Sequence, residues 1–239
     1  MNKFIKWSLL ALGLGLLGCG WWLGLAWAPP DREMGDVQRI MYVHVPLQWM
    51  AMLAMFINFV AAVAFLLKSK ASWGLDSAAE ASAEIGLLLG TAGMITGAIW
   101  GRPTWGVYWS WDPRLTSEAI MLVTYAGYLV LRKFVEDPDK RATWSAVVAI
   151  IGAINLPIVW FSVRWWRSLH QVQSSPRTVD PEMVLPLRVS AFGMLFLTLF
   201  LMAVRYRQAL AERQAEVALP DALPGDVPAP LAHNPSQVA

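Results

Sequence analysis

The sequence predicts an all-α integral membrane protein with six transmembrane helices and both termini cytoplasmic. Three observations carry this expectation. Hydrophobic residues make up 56% of the 239 and charged residues only 15%, too few charges to cover a solvated domain. Apolar runs recur at lengths near the ~20 residues that cross a bilayer as a helix. Every lysine falls in alternate connections: Lys3 and Lys6, then Lys68 and Lys70, then Lys133 and Lys140. Short basic loops stay in the cytoplasm, so these connections and both termini are assigned there.

The first span, about residues 7–28, follows Lys3 and Lys6 and ends in Ala26-Trp27-Ala28, which looks like a signal-peptide cleavage site. Its apolar run is about twice as long as that of such a peptide, and Pro29-Pro30 follow directly, so a retained helix is expected. The second span reads as about 47–67. The third, about 85–100, carries Gly90, Gly93 and Gly97, small residues that suit close helix contact. The fourth reads as about 115–131. The fifth, about 145–161, contains Gly152, Asn155 and Pro157, which suggest a kink. The sixth, about 184–204, ends in Arg205 and Arg207. Residues 1–210 thus form one membrane domain, and the Ala- and Pro-rich residues 211–239, without apolar periodicity, read as a disordered cytoplasmic tail.

Composition excludes several function classes. A net charge of +2 with no basic run argues against nucleic acid. The one cysteine, Cys19, is expected to be buried in the first apolar run, and it precludes an intramolecular disulfide, a thiol pair or a cysteine-rich metal site. No G-x-x-x-x-G-K-[ST] loop occurs, so the chain is not an autonomous nucleotide-driven pump.

The outer side is distinctive. His44 precedes the second span and His170 follows the fifth, so both lie outside near the membrane boundary, while His233 sits in the tail. A lone interfacial histidine is ordinarily a packing residue. Two on one face make a candidate pair of ligands, because neutral imidazole is the commonest metal ligand and two imidazoles can hold a haem iron. Trp21, Trp22, Trp27, Trp49, Trp100, Trp105, Trp109, Trp111, Trp160, Trp165 and Trp166 also fall in the outer half, against Trp7, Trp73 and Trp144 on the other side. This asymmetry exceeds an ordinary interfacial belt and suits a platform for a large flat apolar ligand. Arginine, unlike lysine, does appear outside, and its planar fork pairs bidentately with carboxylates. Arg114, Arg164 and Arg167 are the candidates nearest these features.

The most specific segment runs from Trp100 to Ser117, WGRPTWGVYWSWDPRLTS. Trp109 and Trp111 have strand-like spacing and Trp105 and Trp109 helical spacing, so periodicity leaves its conformation open. Asp112-Pro113 favours a turn into the fourth span, which Thr116 or Ser117 can cap. Asp112 can equally orient Arg114 or itself cap that helix. The segment resembles the tryptophan-rich WWD signature of haem-handling proteins in cytochrome c biogenesis. Its flanks, Arg39 to Pro46 and Ser162 to Gln171, resemble the two histidine-bearing segments of the cytochrome c maturation protein C (CcmC) family, also called haem exporter protein C. The resemblance covers roughly residues 1–210. Tyr108 stands where the family commonly has tryptophan, and the tail exceeds the family core.

The resemblance implies that His44 and His170 are the axial ligands of haem iron and that Trp100, Trp105, Trp109, Trp111 and Asp112 form the haem platform. Arg114, Arg164 and Arg167 then become candidates for the propionates. It further implies haem b as transient cargo, handled on the periplasmic face of the bacterial inner membrane and delivered to the periplasmic haem chaperone CcmE. The small subunit CcmD and the ABC components CcmA and CcmB are the other implied partners, besides membrane lipid. Whether the chain promotes covalent attachment of haem to its chaperone stays open. The alternative is a haem-translocating membrane subunit of an ABC-type haem exporter.

Overall fold

The computed structural model describes residues 2–68, 72–170 and 179–218. Among these residues seven α-helices follow in order: α1 Lys3–Trp22, α2 Met41–Leu67, α3 Trp73–Trp105, α4 Pro113–Phe134, α5 Pro138–Ala153, α6 Asn155–Trp165 and α7 Pro181–Ala218. A wide helical turn, Leu23–Trp27, continues α1, and a 3-10 turn, Asp36–Ile40, leads into α2. No β-strand occurs among the described residues.

α2 and α3 pack along each other at the centre, with α1 and α7 on one side and α4, α5 and α6 on the other. One core, around Met55, Phe65, Met121, Tyr125 and Tyr128, fills the α4–α5 side. A second, around Leu17, Met50, Leu89 and Met194, fills the α1–α7 side. The α1–α7 seam is close enough that a Cβ on Gly193 would stand 2.6 Å from the Leu17 nitrogen, the small-residue contact that apolar solvent favours. Leu14, Phe56, Leu88, Ile95, Val123, Ile151 and Phe192 are exposed on the outside of the bundle. A belt of large apolar side chains facing outward is the inverse of a water-soluble surface.

Among the described residues, five helical stretches are long and apolar enough to cross a membrane: Lys3–Trp27, Asp36–Leu67, Trp73–Trp105, Pro138–Trp165 and Pro181–Glu216. The expected fourth span corresponds to α4. At 22 residues, or about 33 Å at 1.5 Å per residue, it is long enough, but Arg114, Glu118, Arg132 and Lys133 dilute its apolar run. The fifth span does break as expected: Ile154 interrupts it between α5 and α6, and Pro157 cannot donate to the carbonyl four residues earlier.

Three expectations are corrected. The tail does not begin at residue 211, because α7 runs 38 residues to Ala218. Its last turns are held by Arg213, 4% exposed, which pairs with Asp139 and Glu216 at 3.5 Å and lies 5.5 Å over the Trp73 ring. Residues 219–239, with His233, lie outside the described residues. Cys19 is exposed on α1 rather than buried. The cap of α4 is Asp112, whose side chain accepts from the Arg114 N–H, and not Thr116 or Ser117.

The helix ends near the lysines are joined by ions. Arg132 makes a two-pronged contact with Asp76 at 2.7 and 3.0 Å and reaches Glu80 at 2.8 Å. Arg205 pairs with Glu84 and lies 3.5 Å from Glu80. These pairs tie α3 to α4 and α7 and leave the opposite end of the bundle to build the site.

Candidate functional site

His44 sits in the first turns of α2, which are anchored from outside. The Arg39 guanidinium donates to the carbonyls of Gly24 and Ala28 and pairs with Asp36 at 2.8 Å, so it locks the end of the first helical stretch onto the 3-10 turn. Below, Met41, Tyr42, Val45, Trp100, Met183 and Leu187 close into a small core. α3 then supplies space: a Cβ on Gly97 would stand 2.9 Å from His44 Cε1, and one on Gly93 would stand 2.6 Å from Gln48 Nε2. The glycines read from the sequence as close contacts admit these two side chains of α2.

His44 is buried, 6% exposed. Its Nδ1 lies 2.9 Å from the Gly93 carbonyl, which can only accept, so Nδ1 carries the proton and Nε2 keeps its lone pair. A backbone carbonyl accepting from the far ring nitrogen is how proteins fix the tautomer and orientation of a ligating imidazole. The edge of Trp100 meets the His44 ring at 5.7 Å and 71°.

His170 approaches from the other side. Its ring is nearly parallel to that of His44, 18° apart with centroids at 6.4 Å, and Trp105 meets it edge-on at 5.2 Å. Burial first, then the positive charge of Arg114, pushes its pKa down to about 3, against a smaller opposing effect of Asp112. The imidazole is therefore neutral at physiological pH. The loop bearing it is latched by Asp112, whose carboxylate accepts from Ser168 Oγ at 2.9 Å and the Leu169 N–H at 2.7 Å, while Ser168 Oγ accepts from the His170 N–H at 3.0 Å. Asp112 is thus a cap and a latch.

Both histidines line a cleft of about 460 Å³ together with Trp100, Trp105, Met34 and Val37, a volume in the range of small-molecule and cofactor sites. Of the expected platform, Trp100 and Trp105 reach this cleft. α3 ends at Trp105 because Gly106, at φ 81°, takes the left-handed conformation that closes its last turn. Trp109 lines a recess of about 30 Å³ behind the pair, whereas Trp111 is 83% exposed and points away. Arg114 is close enough to act on both imidazoles and donates to the Val159 carbonyl at 3.1 Å. Arg164 and Arg167 are exposed and line neither space.

Sequence reading missed Gln48 and Glu118, both buried and hydrogen-bonded to each other beside the recess. The available signal was positional: each lies one helical turn after a residue already singled out, His44 and Arg114, and polar groups within apolar helices are expensive to keep.

Comparison with known proteins agrees with the motif. Residues 1–219 match the family model for CcmC, described as heme exporter protein C. The heme exporter protein C of Bradyrhizobium diazoefficiens is 41% identical over 189 residues, covering 75% of this chain and 70% of that protein. That of Haemophilus influenzae is 39% identical over 212 residues, covering 86% and 84%, and that of Escherichia coli K12 is 35% identical over 209 residues, covering 87% and 84%. A match over almost the full length, with relatives this similar on both counts, means that the chain belongs to the heme exporter protein C family.

Proposed function

We propose that the protein binds haem b between His44 and His170 at the periplasmic face of the inner membrane and presents it to a periplasmic haem chaperone during c-type cytochrome biogenesis. The observation that carries this reading is the imidazole pair: two rings, nearly parallel, with centroids 6.4 Å apart at one cleft. Two imidazoles sharing one metal ion, at metal–nitrogen distances of about 2.0–2.1 Å, place their centroids roughly 6 Å apart. Haem is the cargo here. His44, with its tautomer fixed by Gly93, and His170, kept neutral by burial, hold the iron; Trp100 and Trp105 shield the apolar ring; Arg114, half-buried beside both imidazoles, is the cation offered to a propionate. Exposed Trp111 offers an apolar edge to the chaperone.

In this reading α1, α2, α3, α4, the α5–α6 pair and α7 make six crossings, with the lysine-bearing end and both termini in the cytoplasm. The chaperone CcmE, the small subunit CcmD and the ABC pair CcmA and CcmB are the partners the family resemblance supplies. A second reading, a haem-translocating subunit of an ABC exporter, draws on what the relatives are called, heme exporter protein C. Haem-free protein in proteoliposomes, with chaperone outside and haem supplied on one side or the other, separates the two. Presentation predicts covalent loading of the chaperone when haem is supplied outside. Loading that requires haem inside and ATP-binding partners would favour translocation.

A further inference from the structure

Arg164 and Arg167 line neither space beside the histidines, but α6 leads to them from an apolar groove. The groove, about 370 Å³, lies between α2 and α6 and opens to the outside of the bundle at exposed Phe56 and Pro157. α2 contributes Met52, Leu53 and Phe56, and α6 contributes Leu156, Pro157, Trp160 and Phe161. Residues four apart share one face of a helix. On α6 the stripe that begins with Leu156 and Pro157 and continues through Trp160 and Phe161 therefore arrives next at Arg164 and Trp165. Phe161 stacks on Trp165 at 5.3 Å and 22°, and Trp166 meets Trp165 edge-on at 5.8 Å. Arg164, Trp165, Trp166 and Arg167 are all exposed. On α2, Phe56 lies about 18 Å from His44 at 1.5 Å per residue. The groove thus sits within the apolar depth of the bundle, and the arginines sit toward the end that bears the histidines.

At the opposite end of the bundle Arg132, Arg205 and Arg213 face carboxylates. Among the described residues the side chains of Arg164 and Arg167 face none. The carbonyls at a helix C-terminus favour a cation in the last turn. That accounts for Arg164, but not for Arg167 beyond the helix end or for the two indoles between them. Indoles prefer the headgroup level of a bilayer, and a guanidinium binds phosphate oxygens through two parallel N–H bonds. The groove favours an acyl chain over another helix, because interfaces between membrane helices are rich in small residues and this one is walled by large aliphatic and aromatic side chains. We infer that the α2–α6 groove and the Arg164 and Arg167 side chains form one site for an anionic phospholipid, with an acyl chain in the groove and the headgroup phosphate held by the arginines. Such a lipid seats the loop that carries His170, since Arg167 directly precedes Ser168 in the Asp112 latch.

The test is native mass spectrometry of the full chain in detergent, titrated with dioleoylphosphatidylglycerol and, separately, with dioleoylglycerol, which has the same chains and no phosphate. Wild type is expected to bind the phospholipid tenfold or more tightly than dioleoylglycerol. Arg164→Gln/Arg167→Gln is expected to remove that preference. Phe56→Ala/Phe161→Ala strips two walls of the groove and is expected to weaken phospholipid binding severalfold with the arginines in place. Arg32→Gln, at an exposed arginine outside the groove, is the control and is expected to bind as wild type does. The replaced arginines are exposed, so lost binding in their variant reports on the lipid and not on the fold. Equal affinity in wild type and the arginine variant would overturn the inference. Displacement of the lipid by glycerol phosphate at comparable concentration would also overturn it, by reducing the site to a surface anion contact. Wild type with no preference for the phospholipid over dioleoylglycerol would overturn it as well, and would leave a helix of another subunit as the better occupant of the groove.

Discussion

The carboxylate of Asp112 accepts the main-chain N–H of Leu169 at 2.7 Å, which ties the end of the tryptophan-rich loop to the residue preceding His170. The same carboxylate caps α4 through the Arg114 N–H at 2.9 Å and holds Ser168 Oγ. Asp112→Ala removes all three contacts at once. A lost cap costs about 1 kcal/mol, and each further hydrogen bond about 0.5–1.5 kcal/mol. The expected result is a modest loss of thermal stability together with a haem spectrum resembling that of His170→Ala. A spectrum identical to wild type would show that His170 does not depend on the latch.

Gly97 offers a more local probe. A Cβ there would stand 2.9 Å from His44 Cε1, whereas one on Gly127 of α4 would meet nothing within 4 Å. Both substitutions to alanine raise helix propensity by roughly 0.5–1 kcal/mol. Gly127→Ala is expected to retain haem binding. Gly97→Ala is expected to weaken it tenfold or more by pushing His44 off its Gly93 carbonyl, and equal haem titrations of the two variants would contradict this.

His170 also makes stability depend on pH. Its pKa in the folded chain is about 3 against 6.5 for a free histidine, so between these values the unfolded chain binds a proton that the folded chain refuses. Stability from this group is therefore complete above pH 6.5 and is lost progressively as pH falls toward 3. Melting temperatures of the haem-free protein are expected to be flat from pH 8.5 to 7 and to fall below pH 6.5. The slope should be shallower in His170→Gln.

The ion network at the opposite end separates fold from site. Arg132 and Asp76 are 6% and 4% exposed at their side chains, and removing one partner of such a pair costs about 3–5 kcal/mol because the other charge is left uncompensated. Arg213 pairs with half-exposed carboxylates, so Arg213→Ala should cost about 1 kcal/mol or less per pair. Thermal unfolding in detergent is expected to rank them in that order. Protein that remains folded should show an unaltered haem spectrum in both cases.

Much of this architecture is legible in the sequence because the bilayer imposes length and charge rules on it. The apolar runs mark the helices, and Gly152, Asn155 and Pro157 mark the break at Ile154. Helix ends are less legible. α3 starts at Trp73, well before the apolar run at residue 85, since Asp76, Glu80 and Glu84 are helical through partners on α4 and α7. α7 outlasts its apolar run for the same reason. In the site, His44, His170, Trp100 and Trp105 converge as one cluster, because single-residue motif identity survives the loss of tertiary detail. Trp109 and Trp111 could not be told apart, since only the turn at Gly106 decides that one lines the recess and the other faces outward. Gln48 and Glu118 were hidden because their meaning lies in a contact between helices 70 residues apart in sequence.

The most direct measurement is the visible absorption spectrum and haem content of the detergent-purified protein beside His44→Ala, His170→Ala, the double variant, and His233→Ala as control. The account predicts a low-spin haem spectrum in wild type and in His233→Ala, altered by each outer substitution and abolished by both together. Equal haem content and an unchanged spectrum in all five proteins would contradict the two-histidine site.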